Sequence, residues 1–154
     1  MDDNLRREII LDNYQEPFHK GLVEEDGYCK INTSSKSCID NLDFILKKNG
    51  DIIEDIRFDG EACAISTSAS SILIRKLIGK KEEEAIQILE NYRNMIEEKE
   101  YDEELLGELT VYDQISKQPN RKNCALLPNV AIEKLLGVMN HGKQHASDEE
   151  FKTC

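Results

Sequence analysis

No stretch of this sequence approaches the ~18 consecutive apolar residues that a membrane-spanning helix requires, which excludes a transmembrane α-helical protein. Positive charge is also in short supply. Lys plus Arg number 20 against 31 Asp plus Glu, a formal net charge of −11, and such a surface repels a phosphate backbone, so nucleic acid is not an expected partner. The opening MDDNLRRE is charged where a secretory signal would be apolar, and the chain is expected to be cytoplasmic. A disulfide framework is not expected in that compartment: the five cysteines are odd in number, scattered, and free of any C-x-x-C pair. Internal repeats are absent as well. What remains for the cysteines is packing, thiol reactivity or metal ligation.

At 154 residues and 17.7 kDa the chain suits one domain, expected over residues 1–140, followed by a polar, mobile tail over 141–154. Hydrophobic content of 39% is modest and charged content of 33% is high, yet the apolar residues recur periodically, which separates a folded domain from a disordered one. Leu5, Ile9 and Asn13 form a helical stripe from about Asp3 to Glu16, ended by Pro17. Between Gly27 and Asp59 the period drops to two, predicting strands at YCKINT, LDFILKK and IIEDIRFD. Asn49-Gly50 marks a hairpin. A three-residue loop over Lys48-Asn49-Gly50, with Gly50 left-handed, would align Leu46 with Ile52 and Leu42 with Ile56 and keep one apolar face, which a two-residue loop would not.

Two helices follow, one carrying Ile65, Ala69, Ile72, Leu73 and Leu77 up to Gly79, the other running from Lys81 to Lys99 with three glutamates at its start. Glu100 to Asn123 has no sustained period and reads as loop or short turns. A last helix is predicted over about Leu127 to Val138, with Pro128 in its first turn. Together these elements predict an α+β fold, a small three-stranded antiparallel sheet packed with helices.

Three cysteines fall at element junctions: Cys38 before the second strand, Cys63 before a helix and Cys124 before the last helix. Junctions let side chains converge while the elements build the core. A helix N-terminus also favours a negative sulfur. In Cys38-Ile39-Asp40, extended backbone would aim Cys38 and Asp40 to one side and Ile39 away. Three thiolates and a carboxylate complete a tetrahedral zinc set, and three cysteines could hold an iron–sulfur cluster. Spacing by itself leaves the packing alternative open, since partly buried cysteines are common. Cys29, inside a predicted strand, reads as packing, and Cys154 as a terminal bystander. Ser66, Thr67, Ser68, Ser70 and Ser71 have no histidine nearby in sequence to act as base, so they read as close-packing residues rather than nucleophiles. His141 and His145 stand at i, i+4 in a polar tail, and His19 lies in a basic turn suited to a surface contact.

Longer segments add a resemblance. LRREIILDNYQEPFHKG, SKSCID, GDIIEDIRFDGEACAISTSASS and RKNCALLPNVAIEKLL resemble, in order, the first helix and turn, first cysteine motif, second cysteine with its serine-rich helix, and third cysteine with the final helix of U-type iron–sulfur assembly proteins. EKEYDEELLGELTVYDQISKQP is similar to the insertion that separates the SufU branch from IscU. Asn123 stands where IscU scaffolds have a histidine, and their Leu-Pro-Pro-Val-Lys run is missing. The resemblance implies a SufE/NifU-like fold with about five helices and a metal site at one end, in a zinc-dependent sulfurtransferase working beside a pyridoxal-phosphate cysteine desulfurase of the SufS type and a downstream cluster scaffold.

By position it implies zinc ligands Cys38, Asp40, Cys63 and Cys124, with Cys38 receiving the persulfide sulfur; since zinc has no geometric preference of its own, the expected route is ligand exchange, a donor from the docked desulfurase freeing Cys38 from the metal. Arg121, three residues before Cys124, would either offset the charge of that site or stand in solvent. The family's Cys-Gly-Asp is Cys38-Ile39-Asp40 here. Two other functions share the same residues: a scaffold assembling a transient iron–sulfur cluster on Cys38, Cys63 and Cys124, and a non-catalytic zinc module that activates the desulfurase.

Overall fold

The computed structural model describes residues 1–34 and 39–138. Its elements run α1 (Asp3–Gln15), β1 (Tyr28–Ser34), β2 (Asn41–Asn49), β3 (Ile52–Glu61), α2 (Ala64–Leu77), α3 (Glu82–Ile96), the short α4 (Glu103–Leu106), two 3-10 turns (Gly107–Tyr112 and Ile115–Lys117) and α5 (Pro119–Leu135). The strands form one antiparallel sheet in the order β1-β2-β3, as the period-two segments predict. Alternation places Leu42, Phe44 and Leu46 of β2 on the buried face, where Phe44 stands opposite Ile31 and Phe58. The Phe44 and Phe58 rings stack at 5.8 Å between centroids.

The hairpin differs in register from the sequence expectation. Leu46 pairs with Ile56 and Leu42 with Gly60, because the turn closes at the Asn49–Ile52 pair and a bulge at Lys47/Lys48 then restores parity. The apolar face survives, since a bulge inserts one residue and undoes the slip that an even loop would impose. Gly50 is left-handed at φ 64° as expected. Beyond β3, the segment around Lys20 adds a short parallel bridge to Phe58, with Gly21 donating to the Phe58 carbonyl at 2.7 Å. This pairing covers part of an otherwise open sheet edge.

Helix α2 is the centre of the molecule. Most of its residues are buried, including Ser66, Thr67, Ser68, Ser70 and Ser71, because α1, α5, β3 and the first 3-10 turn all pack against it. Small hydroxylated side chains let these neighbours approach while bonding locally or to them. Ser68 shares a 2.5 Å hydrogen bond with Tyr112, and Ser71 donates to Asn13 at 2.7 Å. Burial pushes the Tyr112 hydroxyl's pKa upward, against a smaller opposing effect from Ser68.

Helix α5 departs most from expectation. It begins at Pro119, eight residues before the predicted Leu127, so Cys124 lies within it and Pro128 sits in its interior. Pro119 occupies the first-turn position to which proline is suited. Pro128 is tolerated for a tertiary reason that appears at the site. No helix among the described residues is long and apolar enough to cross a membrane.

Candidate metal centre

The site forms where the ends of β2 and β3 meet the starts of α2 and the second turn of α5. Gly60 sets the first part of it. Its φ is 132°, a conformation that side-chain-bearing residues rarely adopt, and a Cβ there would stand 2.3 Å from the Asn41 carbonyl oxygen. Only glycine allows β3 to pass so close to the start of β2. Asn41 pairs with Glu61, which brings Asp40, just before β2, beside Cys63, just after β3.

Cys63 is the N-cap of α2, and its sulfur accepts the Ser66 amide at 3.5 Å. This is the capping geometry usually supplied by a serine or aspartate oxygen. The Cys63 amide in turn donates to Asp40 Oδ1 at 2.7 Å. Asp40 Oδ2 lies 2.5 Å from Ser66 Oγ and 3.8 Å from Cys63 Sγ. The positive end of α2 thus faces both acidic donors. Cys124 comes from α5, fully buried, with its sulfur 3.7 Å from the Asn120 carbonyl of the preceding turn. One donor atom each from Asp40, Cys63 and Cys124 falls within 4.8 Å of the others.

That spacing suits a tetrahedral ion. Zinc bonds of about 2.0–2.3 Å to oxygen and sulfur separate adjacent donors by roughly 3.3–3.8 Å, and the Asp40–Cys63 pair already lies at 3.8 Å. Two sulfurs and a carboxylate match the donor preference of zinc. Cys38, the fourth expected ligand and expected sulfur acceptor, lies outside the described residues, as do Cys154, His141 and His145. Ile39, at a bend, is 75% exposed while Asp40 is 2% exposed.

Arg121 is exposed in the first turn of α5. It lines an open groove of about 370 Å³ with Arg6, Arg7, Ile10, Ile65 and Ile115, and among the described residues it has no hydrogen bond or ion pair to the three donors. His19 is held at the β3 edge, stacked on Phe18 at 3.9 Å with Nδ1 3.0 Å from Asp55. Cys29 is partly buried and packs against the core.

Ser66, expected from the sequence only to pack closely, does more than fill space. Its hydroxyl lies 2.5 Å from Asp40 Oδ2, 3.0 Å from the Cys124 carbonyl and 3.7 Å from Cys63 Sγ. Its place three residues after Cys63 is the capping interval, the one local signal that could have marked it.

Comparison with known proteins agrees with this architecture. Residues 5–125 match the NifU-like N terminal domain family. The zinc-dependent sulfurtransferase SufU of Bacillus subtilis is 34% identical over 133 residues, covering 86% of this chain and 89% of that protein. An iron–sulfur cluster assembly scaffold protein IscU of Streptococcus pyogenes is 29% identical over 151 residues, covering 97% and 93%. Among solved structures, a putative iron–sulfur cluster assembly scaffold protein for the SUF system from Fervidobacterium islandicum superposes with a TM-score of 0.74 at 29% identity, covering 86% of this chain and 98% of that one.

Proposed function

Because this chain belongs to the NifU-like N terminal domain family, we propose that it is a zinc-dependent sulfur acceptor of the SufU type in iron–sulfur cluster assembly. The observation that carries this reading is the convergence of Asp40, Cys63 and Cys124 within 4.8 Å, in a chain similar to a zinc-dependent sulfurtransferase. Cys38, Asp40, Cys63 and Cys124 are the proposed ligands. A bound zinc ion holds thiols deprotonated at neutral pH while tempering their nucleophilicity, and it undergoes no redox change itself.

The chain's own residues do the rest. Asp40 is fixed by the Cys63 amide and the Ser66 hydroxyl, and Cys124 is shielded from water. Both are held by buried structure. We assign the reaction to Cys38, which precedes Asp40 by two residues in sequence. Its thiolate attacks the outer sulfur of a persulfide on a partner cysteine desulfurase. A new S–S bond forms at Cys38, the partner's S–S bond breaks, and the partner's cysteine leaves as thiolate. The transfer needs no external oxidant or reductant.

The test is sulfur transfer from a desulfurase and cysteine to this chain, followed by mass spectrometry. Wild-type should gain one sulfur on Cys38, and Cys38→Ser should gain none while still binding the desulfurase. Equal sulfur uptake by Cys38→Ser would remove it as acceptor. The relation to IscU supports a second reading, in which Cys38, Cys63 and Cys124 hold a nascent cluster. Iron and sulfide in the purified protein, rather than zinc, would favour that one.

A further inference from the structure

We infer that Ser66 is the positioning residue of this site: its hydroxyl fixes the Asp40 carboxylate and ties α5 to α2, and Pro128 leaves the Cys124 carbonyl open to receive it. The inference rests on the metal-site reading above, and goes beyond it in assigning this role to a residue that is not a ligand.

In an α-helix each carbonyl accepts the N–H of the residue four positions later. For Cys124 that residue is Pro128, which has no N–H. Cys124 is fully buried, so water does not stand in, and an unpaired carbonyl there is costly. Ser66 Oγ, itself fully buried, fills the gap at 3.0 Å from the carbonyl. The same oxygen lies 2.5 Å from Asp40 Oδ2, a separation typical of a charge-assisted O–H···O bond. A hydroxyl has one proton to donate, so carboxylate and carbonyl share it, and the shorter distance makes the carboxylate the principal acceptor. Ser66 therefore joins residues 26 and 58 positions away in sequence. Partners of this kind, bonded to ligands without touching the metal, typically contribute 10–100-fold to metal affinity.

Two roles can be separated, satisfying the helix and aiming Asp40. Ser66→Ala removes both. Adding Pro128→Ala restores a helical N–H to the Cys124 carbonyl and repairs the helix, but leaves Asp40 Oδ2 without the Ser66 hydroxyl. Zinc affinity by chelator competition and thermal unfolding are measured on wild-type, Ser66→Ala, the double variant and Ser70→Ala. Ser70 is an equally buried hydroxyl that, among the described residues, bonds only the Ser66 carbonyl.

Zinc affinity is expected to fall 10–100-fold in Ser66→Ala and to stay low in the double variant, whose thermal stability recovers; Ser70→Ala should keep wild-type affinity. Affinity regained in the double variant, or never lost in Ser66→Ala, overturns the proposal. Should Ser66→Ala fail to fold, the double variant carries the test alone. A wild-type chain that binds no zinc would overturn the metal reading, and Ser66 is then judged on the metal-free protein. There the Cys63 amide resonance, which reports its bond to Asp40 Oδ1, should move in both Ser66 variants, and an unmoved resonance overturns the proposal.

Discussion

Replacing Gly60 by alanine tests whether strand geometry, rather than ligand identity alone, builds the site. A Cβ at Gly60 meets the Asn41 carbonyl at 2.3 Å, whereas real Cβ contacts essentially never fall below 3.0 Å. The two strand ends must therefore part by at least about 0.7 Å, beyond the roughly 0.5 Å tolerance within which a functional constellation works. Asn41, whose carbonyl would be displaced, follows Asp40 directly, so the opening acts on the 2.7 Å bond from the Cys63 amide to Asp40 and on the 3.8 Å donor spacing. Holding alanine at φ 132° adds about 1–3 kcal/mol of backbone strain. For a chain of this size that lowers Tm by about 2–12 °C.

Zinc affinity should fall tenfold or more, measured by chelator competition beside thermal unfolding. Gly50→Ala is the control. Gly50 is also left-handed, at φ 64°, but a Cβ there meets nothing within 4 Å, so that variant should lose stability and keep its zinc affinity. If Gly60→Ala retains wild-type affinity, the close approach of β2 and β3 does not position the donors and this reasoning fails.

Other outcomes follow from single contacts. The Tyr28 hydroxyl is pushed up to about 12, first by burial and then by its bond to Asp55. The unfolded chain loses that proton near pH 10 and the folded chain later, so stability from this group is full below pH 10 and declines between pH 10 and 12. Tyr28→Phe should flatten that part of the alkaline unfolding curve, and an unchanged curve would contradict the assignment. Arg93 and Glu133 form a largely buried ion pair joining α3 to α5. Glu133→Ala should destabilise by about 3–5 kcal/mol in denaturant titration, because it strands a buried guanidinium. A loss under 1 kcal/mol would show the pair to be well solvated.

Much of this molecule was legible in its sequence because local rules governed it. Period-two segments became β1 to β3, and Cys63 fell just before α2, as expected. Asp40 turned inward and Ile39 outward. The hairpin register escaped because the bulge at Lys47/Lys48 leaves the hydrophobic pattern intact and so has no signature in it. The start of α5 escaped because Pro128 reads locally as a first-turn residue. A serine from another helix, bonding the Cys124 carbonyl, makes that proline acceptable inside. Ser66 escaped for the same reason, since its partners are far from it in sequence.

The central claim is that Asp40, Cys63 and Cys124, with Cys38, hold zinc. Elemental analysis of the chain purified without added metal, with a visible spectrum of the same sample, tests it most directly. About one zinc per chain, no colour, and loss of that zinc in Asp40→Ala are the predicted results. Iron with sulfide absorbance, or a fully folded chain carrying no metal, would contradict it.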